Sequence, residues 1–200
     1  MDIYAREIAL IAAAYALGCL STGYYLVRLR SGIDIRRLGS GSAGARNVGR
    51  ALGKKGFAIT LAGDAVKGAI PISAALFLDM EPWGALAALF AIVAGNLWPV
   101  QLGFRGGKGL STAMGAMLVL DFGLALAAFA IASISWLITR NATGSGICAV
   151  ALTPIVALLV GHTPFVAVAL AIVAAAIMFA HRANLRAIFE AVKTPPEAGI

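Results

Sequence analysis

The thirty residues LSTAMGAMLVLDFGLALAAFAIASISWLIT, Leu110 to Thr139, decide the fold. Their only charged side chain is Asp121, and Asp121-Phe-Gly123 divides the run into Leu110–Leu120 and Phe122–Thr139. The second piece is long enough to cross hydrocarbon as a helix; the first reaches only about 16 Å, roughly half of a bilayer core. A half-span must be sheltered by other helices, since no water reaches its end groups. The stretch therefore predicts a helical bundle in a membrane with one short helix inside it.

Working outward, apolar runs at Ile8 to Val27, Phe57 to Leu78, Trp83 to Leu102, Gly146 to Gly161 and Pro164 to Ala180 bring the candidate segments to seven. The composition agrees: 60% of residues are hydrophobic and 12% charged, where a soluble domain carries about 25%. Soluble enzyme folds, disordered chains and outer-membrane barrels with their ten-residue alternation are excluded. The expected fold class is an all-α polytopic membrane protein of about seven transmembrane helices, some short or half-spanning, forming one domain over residues 1–200. The first apolar run shows no small-x-small cleavage site and is expected to stay on the protein. Cys19 and Cys148 lie inside apolar runs and read as buried small hydrophobes. Two distant histidines and no paired thiols give a metal no support, and no cofactor is expected.

A net charge of +7 in a soluble chain would suggest nucleic acid; in a membrane protein it raises the question of sidedness, and no nucleic-acid partner is expected. Seven spans place 28–56, 103–109, 140–145 and 181–200 on one side, and fourteen of the sixteen Lys and Arg lie there. Lys67 falls within a span and Arg6 opposite. The positive-inside rule makes the basic side cytoplasmic, with the N-terminus outside and the C-terminus inside. Asp2, Glu7, Asp79, Glu81 and Asp121 collect on the outer side.

Three clusters on the basic side carry chemistry. The first loop, Gly32 to Gly53, holds six glycines in twenty-two residues. Gly39-Ser40-Gly41-Ser42 can take positive φ and expose successive N–H groups to an anion. Arg46 and Arg50, four apart, share a face of any helix starting there. A flexible basic loop meeting anionic headgroups is the plainer alternative. Gly103-Phe-Arg105-Gly106-Gly107-Lys108-Gly109 is no Walker loop, since Gly109 stands where Ser or Thr would bind magnesium. It sets Lys108 at the mouth of a helix, with Ser111 and Thr112 as capping hydroxyls. After the last span, His181 and Asn184 share a face by their i, i+3 spacing, with Arg182 and Arg186 nearby. Inside the second span Asp64 and Lys67 have the same spacing and are expected to pair, facing the bundle interior.

These clusters, in this order, resemble the PlsY family, the membrane-integral acyl-phosphate:glycerol-3-phosphate acyltransferases of bacteria. The family's first pattern is matched by Gly39, Ser40, Gly41, Gly44, Ala45, Asn47 and Arg50. The second is matched by Gly95, Pro99, Val100, Phe104, Arg105, Gly106, Gly107, Lys108 and Gly109, and the third by His181, Arg182, Asn184 and Arg186. Ser42, Arg46 and Asn96 depart from the family, which has Asn, Thr and His there, and the closing Gly-Thr-Glu is missing, with Glu190 only nearby.

The resemblance implies transfer of a fatty acyl group from acyl phosphate to the 1-hydroxyl of glycerol 3-phosphate, the first step of bacterial phospholipid synthesis. It further implies residence in the cytoplasmic membrane with the site on the cytoplasmic side, lipid as surroundings, and a soluble enzyme as source of the acyl phosphate. Ser40, Arg50, Lys108, His181 and Asn184 are the implied catalytic residues. Gly39, Gly41, Ser42, Arg46, Asn47, Asn96, Arg105, Gly106, Gly107, Gly109 and Ser111 are the implied substrate contacts. An activated donor needs no covalent intermediate, and no Ser-His-Asp or Cys-His set is evident, so positioning and charge stabilisation carry the chemistry. The alternatives are a divergent relative acylating another phosphorylated acceptor and a transporter of a phosphorylated anion, for which paired broken helices would be expected.

Overall fold

The computed structural model describes residues 3–193, and every regular element among them is helical. Helices α1 (Ile3–Cys19) and α2 (Thr22–Ser31) are followed by a 3-10 turn at Ile35–Arg37 and by α3 (Ala45–Phe77). Then come α4 (Pro82–Leu97), α5 (Leu110–Leu120), α6 (Phe122–Thr139), α7 (Ala142–Leu159), α8 (Pro164–Ala180) and α9 (Arg182–Lys193). Five stretches are long and apolar enough to cross a membrane: Tyr4–Ser31, Ala45–Phe77, Pro82–Leu102, Phe122–Thr139 and Ala142–Leu159. Helix α8 makes a sixth only together with α9, from which it is bent by 71°. The seven expected segments are thus five or six spans plus the half-span α5.

Asp121 makes the break that separates α5 from α6, its Oδ1 accepting from Leu124 N at 2.8 Å. Such a cap contributes about 1 kcal/mol. Asn141 caps α7 in the same way, through Gly144 N at 3.0 Å, so α7 begins four residues before the apolar run does. The expected first span, Ile8 to Val27, is instead interrupted between Cys19 and Thr22. The second span starts not at Phe57 but at Ala45, and it changes direction at Gly53, whose φ 71° and ψ −168° only glycine adopts readily.

Lipid tails supply no hydrophobic drive between helices, so small residues bring the backbones together. A Cβ on Gly18 or Gly95 would strike the backbone of the facing helix at the α1–α4 contact. Between α3 and α5, Gly68 lies on the Thr112 carbonyl and Gly115 on that of Ala65. Ile72, Leu89, Ile92, Val93, Ala116 and Ile177 fill the centre, while Phe77, Phe129, Ile138 and Leu159 stand on the outer surface.

The two ends of the bundle differ. At one end Arg6 donates to Leu78 O at 2.8 Å, Glu81 N donates to Glu7 Oε1 at 3.2 Å, and His162 pairs with Asp121 at 2.9 Å. The acidic residues expected together are gathered here, except Asp2, which lies outside the described residues. The opposite end carries the two glycine-rich loops, Arg140 and His181. Cys19 is buried as expected, Cys148 is only half-buried, and both are free thiols.

Candidate active site

The first loop is rigid for a reason that residue types alone did not reveal. Asn47, fully buried on the first turn of α3, accepts from Ser40 N at 3.0 Å through Oδ1. Its Nδ2 donates to Ser42 O and Leu38 O at 2.9 Å and to Ile35 O at 3.2 Å. Gly39 and Gly41 adopt φ of 52° and 70°, as their sequence suggests, and a Cβ on Gly39 would collide with Asn47 Oδ1. Asn47 is therefore the pin of the loop: it lines the cavity beside it, and its amide is committed to loop backbone.

Most of the loop's N–H groups are also taken within the protein. Ser40 N is taken by Asn47, Gly41 N by Leu38 O, Ala43 N by Gly106 O and Gly44 N by Ser42 Oγ. Gly39 and Gly41 accordingly shape the loop and stay outside the cavity beside it. An ion pair fixes the loop's outer half: Asp34 and Arg36 meet at 2.7 Å, Arg36 reaches Leu102 O, and its guanidinium lies 5.1 Å above the Tyr24 ring. The hydrogen bonds from Arg36 hold the Asp34 carboxyl down at about 2, against the opposing effect of partial burial.

The cavity has a volume of about 320 Å³. Ser40, Ser42, Arg46 and Arg50 line it from the first loop and α3, and Lys108, Gly109 and Ser111 from the second loop and α5. His181 and Asn184 face it from the α8–α9 bend, sharing a face as their spacing requires. Lys108 Nζ donates to Asn184 Oδ1, joining the second cluster to the third. Partial burial, and after it the charges of Arg46 and Arg50, push the Lys108 ammonium below the ordinary lysine range. The Ile177 carbonyl can only accept, so His181 Nδ1, 2.9 Å away, carries the proton in that bond and the neutral ring keeps its lone pair on Nε2.

Two helix N-termini open into the same space. Helices α3 and α5 begin after Gly44 and Gly109, neither of which offers a side-chain cap, and both glycines line the cavity. Their free N–H groups and dipoles favour an anion. The expectation that Ser111 or Thr112 caps α5 fails: neither makes such a bond, and Thr112 Oγ1 is buried without a partner.

Four further expected contacts lie outside the cavity. Asn96 is buried, and its Oδ1 accepts from Lys67 Nζ at 2.7 Å. Gly106 and Gly107 are tied by their N–H groups to Leu97 O and Asn96 O, packed where a Cβ would strike Asn96. Arg105 is exposed beyond them. These residues support the loop that carries Lys108, because a backbone pressed onto a helix end has no face left for a ligand.

Conversely, the cavity recruits Phe57, Leu61, Asp64, Leu110, Ala142 and Thr143, which motif reading did not assign to a substrate. A signal existed for three of them: Phe57, Leu61 and Asp64 recur at i, i+4 and i+7 and so share one face of α3 beyond the kink at Gly53. Asp64 and Lys67 do form the expected pair, at 2.9 Å.

Comparison with known proteins shows the kinship of this arrangement. A sequence model of the family described as glycerol-3-phosphate acyltransferase matches residues 8–191. The chain belongs to the glycerol-3-phosphate acyltransferase family. It is 44% identical over 180 residues to glycerol-3-phosphate acyltransferase 1 of Desulfitobacterium hafniense, covering 90% of this chain and 89% of that one. The glycerol-3-phosphate acyltransferase of Thioalkalivibrio sulfidiphilus is 45% identical over 181 residues, covering 89% and 88%. The crystal structure of PlsY (YgiH), an integral membrane glycerol 3-phosphate acyltransferase in its glycerol 3-phosphate form, superposes with a TM-score of 0.86 at 31% identity over 92% of each chain. Its lysophosphatidic acid form gives 0.82 at 29%, again over 92% of each. As a member of this family the chain is an acyltransferase of the membrane, and the cavity joining its three motifs is the candidate active site.

Proposed function

We propose that the chain transfers a fatty acyl group from acyl phosphate to the 1-hydroxyl of glycerol 3-phosphate, releasing lysophosphatidic acid and phosphate. One observation carries this reading: Arg46, Arg50, Lys108 and the uncapped N-termini of α3 and α5 converge on one cavity that also has an apolar side, formed by Phe57, Leu61 and Leu110. Two phosphates brought together repel, and the cations and helix ends offset that repulsion. Phe57 and Leu61 are also partly exposed at the bundle surface, which offers an acyl chain a route from lipid.

In the reaction the hydroxyl oxygen of the acceptor forms a bond to the acyl carbon, the bond from that carbon to the phosphate oxygen breaks, and phosphate leaves with the electron pair. The hydroxyl proton passes to a phosphate oxygen, whose second pKa lies near 6. Arg50 and Lys108 hold the phosphates and Ser40 offers its hydroxyl to one of them. His181 and Asn184 orient the reacting groups. Ser42 and Arg46 line the cavity, so these departures from the family pattern face substrate, whereas Asn96 does not. The gathering of basic residues around the cavity supports a cytoplasmic site in the bacterial inner membrane.

The test is purified protein supplied with palmitoyl phosphate and glycerol 3-phosphate, scoring phosphate and lysophosphatidic acid together. Equal formation of both, lost in Lys108→Ala, is the expected result. Phosphate release without the lipid, or silence from folded protein, would overturn the assignment.

A further inference from the structure

A carboxylate is the wrong group for a phosphate pocket, yet one lines this cavity. Asp64 stands on the same face of α3 as Phe57 and Leu61 and is the single acidic residue lining the cavity among the described residues. It is 4% exposed. Its buried Oδ1 forms an ion pair with Lys67 Nζ at 2.9 Å without hydrogen-bond geometry, and no hydrogen bond within the described residues reaches its second oxygen. Lys67 is held in turn by Leu20 O at 2.9 Å, Asn96 Oδ1 at 2.7 Å and Gly18 O at 3.4 Å. The carboxylate is thus anchored through one oxygen, and the anchor ties it to α1, α3 and α4.

Every other charged group in the cavity, Arg46, Arg50 and Lys108, attracts phosphate. Asp64 repels phosphate and accepts from a hydroxyl. A molecule with phosphate at one end and hydroxyls at the other can then settle in only one direction. In the proposed reaction the hydroxyl that reacts passes its proton to a phosphate oxygen and needs no carboxylate beside it. The hydroxyl that keeps its proton throughout is the one on C2.

We infer that Asp64 is a specificity-determining residue, accepting a hydrogen bond from the C2 hydroxyl of the acceptor and excluding phosphate from that end of the cavity. The inference rests on the acceptor being glycerol 3-phosphate.

The experiment compares glycerol 3-phosphate with 3-hydroxypropyl phosphate, which keeps the reacting hydroxyl and the phosphate but lacks the C2 hydroxyl. A hydrogen bond to a charged group corresponds to roughly a 10- to 100-fold preference. Wild-type protein is expected to show that preference in kcat/KM, carried mainly by KM. In Asp64→Asn the amide oxygen turns to Lys67 and presents a neutral donor to the cavity, so the preference should fall by roughly 5- to 10-fold on the same scale. Asp64→Asn combined with Lys67→Met, which removes both charges together, should show the same loss if the single variant folds poorly. Equal use of both acceptors by wild-type protein would overturn the inference without any variant, and so would full discrimination in folded Asp64→Asn. Failure of wild-type protein to acylate glycerol 3-phosphate at all would instead overturn the proposed function.

Discussion

Ala43 N donates to Gly106 O at 3.1 Å, and this single backbone bond ties the first glycine-rich loop to the second. Through it the cations of α3 and the cation before α5 share one frame. Gly106 has no room to spare: a Cβ there would meet the Asn96 carbonyl oxygen and the Pro99 ring. Gly106→Ala should therefore shift Lys108 relative to Arg50 and lower kcat/KM by about 100-fold, the scale expected when reacting groups are displaced by an ångström. Steady-state kinetics beside a thermal melt in detergent would check this, with the melt little changed.

Removing the cations themselves should cost more than moving them. Lys108→Ala and Arg50→Ala are each expected to lower transfer by at least about 100-fold, the typical effect of deleting one preorganised charge-stabilising donor. Helix content by circular dichroism should remain that of the parent. Near-normal activity in both variants would remove the phosphate clamp from the mechanism.

Alkaline pH should expose the depressed Lys108. Burial and the charges of Arg46 and Arg50 favour its neutral form, so the empty site loses this cation at a lower pH than an ordinary lysine would. The KM for glycerol 3-phosphate should accordingly rise on the alkaline side before the usual lysine range is reached. Lys108→Arg, which stays charged, should lack that limb. A pH profile of KM for both proteins decides the point.

Asn96 is a strut rather than a contact, and its variants should behave accordingly. Asn96→His keeps an acceptor nitrogen for Lys67 and should retain activity within about 3-fold, since an exchanged hydrogen bond changes little net free energy. Asn96→Leu removes one of the acceptors of a buried ammonium and should lower stability by about 1–3 kcal/mol. Denaturation midpoints in one detergent would separate the two.

Gly53 connects the arm that carries Arg46 and Arg50 to the part of α3 that packs in the bundle. Its backbone angles disfavour every residue with a side chain, and Gly53→Ala should cost about 1–3 kcal/mol. Because the strain falls between the two parts, the KM for glycerol 3-phosphate should suffer more than the melting temperature.

Much of this was legible in the sequence where one physical rule acts locally. The apolar runs marked the helices, Asp121 marked the break it caps, and the i, i+3 spacings of Asp64 with Lys67 and of His181 with Asn184 predicted a pair and a shared face. The glycines of the first loop read correctly as positive-φ positions but wrongly as ligands. What decides that question is where Asn47 donates three hydrogen bonds and accepts a fourth, and a motif does not say whether an amide faces the loop or the substrate. The face of Phe57, Leu61 and Asp64 stayed hidden for a related reason: the non-helical Gly53 lies between it and Arg50, and the bend there sets how the two faces meet. Ala142 and Thr143 enter only because α7 starts beside α5, which no local pattern records.

The glycine contact between α3 and α5 has an electrical consequence. A protein that draws two phosphates into a cavity between membrane helices also draws in water, and a wet path continued to the far side would conduct protons and ions. Gly68 against Thr112 and Gly115 against Ala65 leave no gap between those backbones, and the apolar centre lies beyond them. Close backbone packing at this contact thus shuts one route by which water in the cavity could reach the far side.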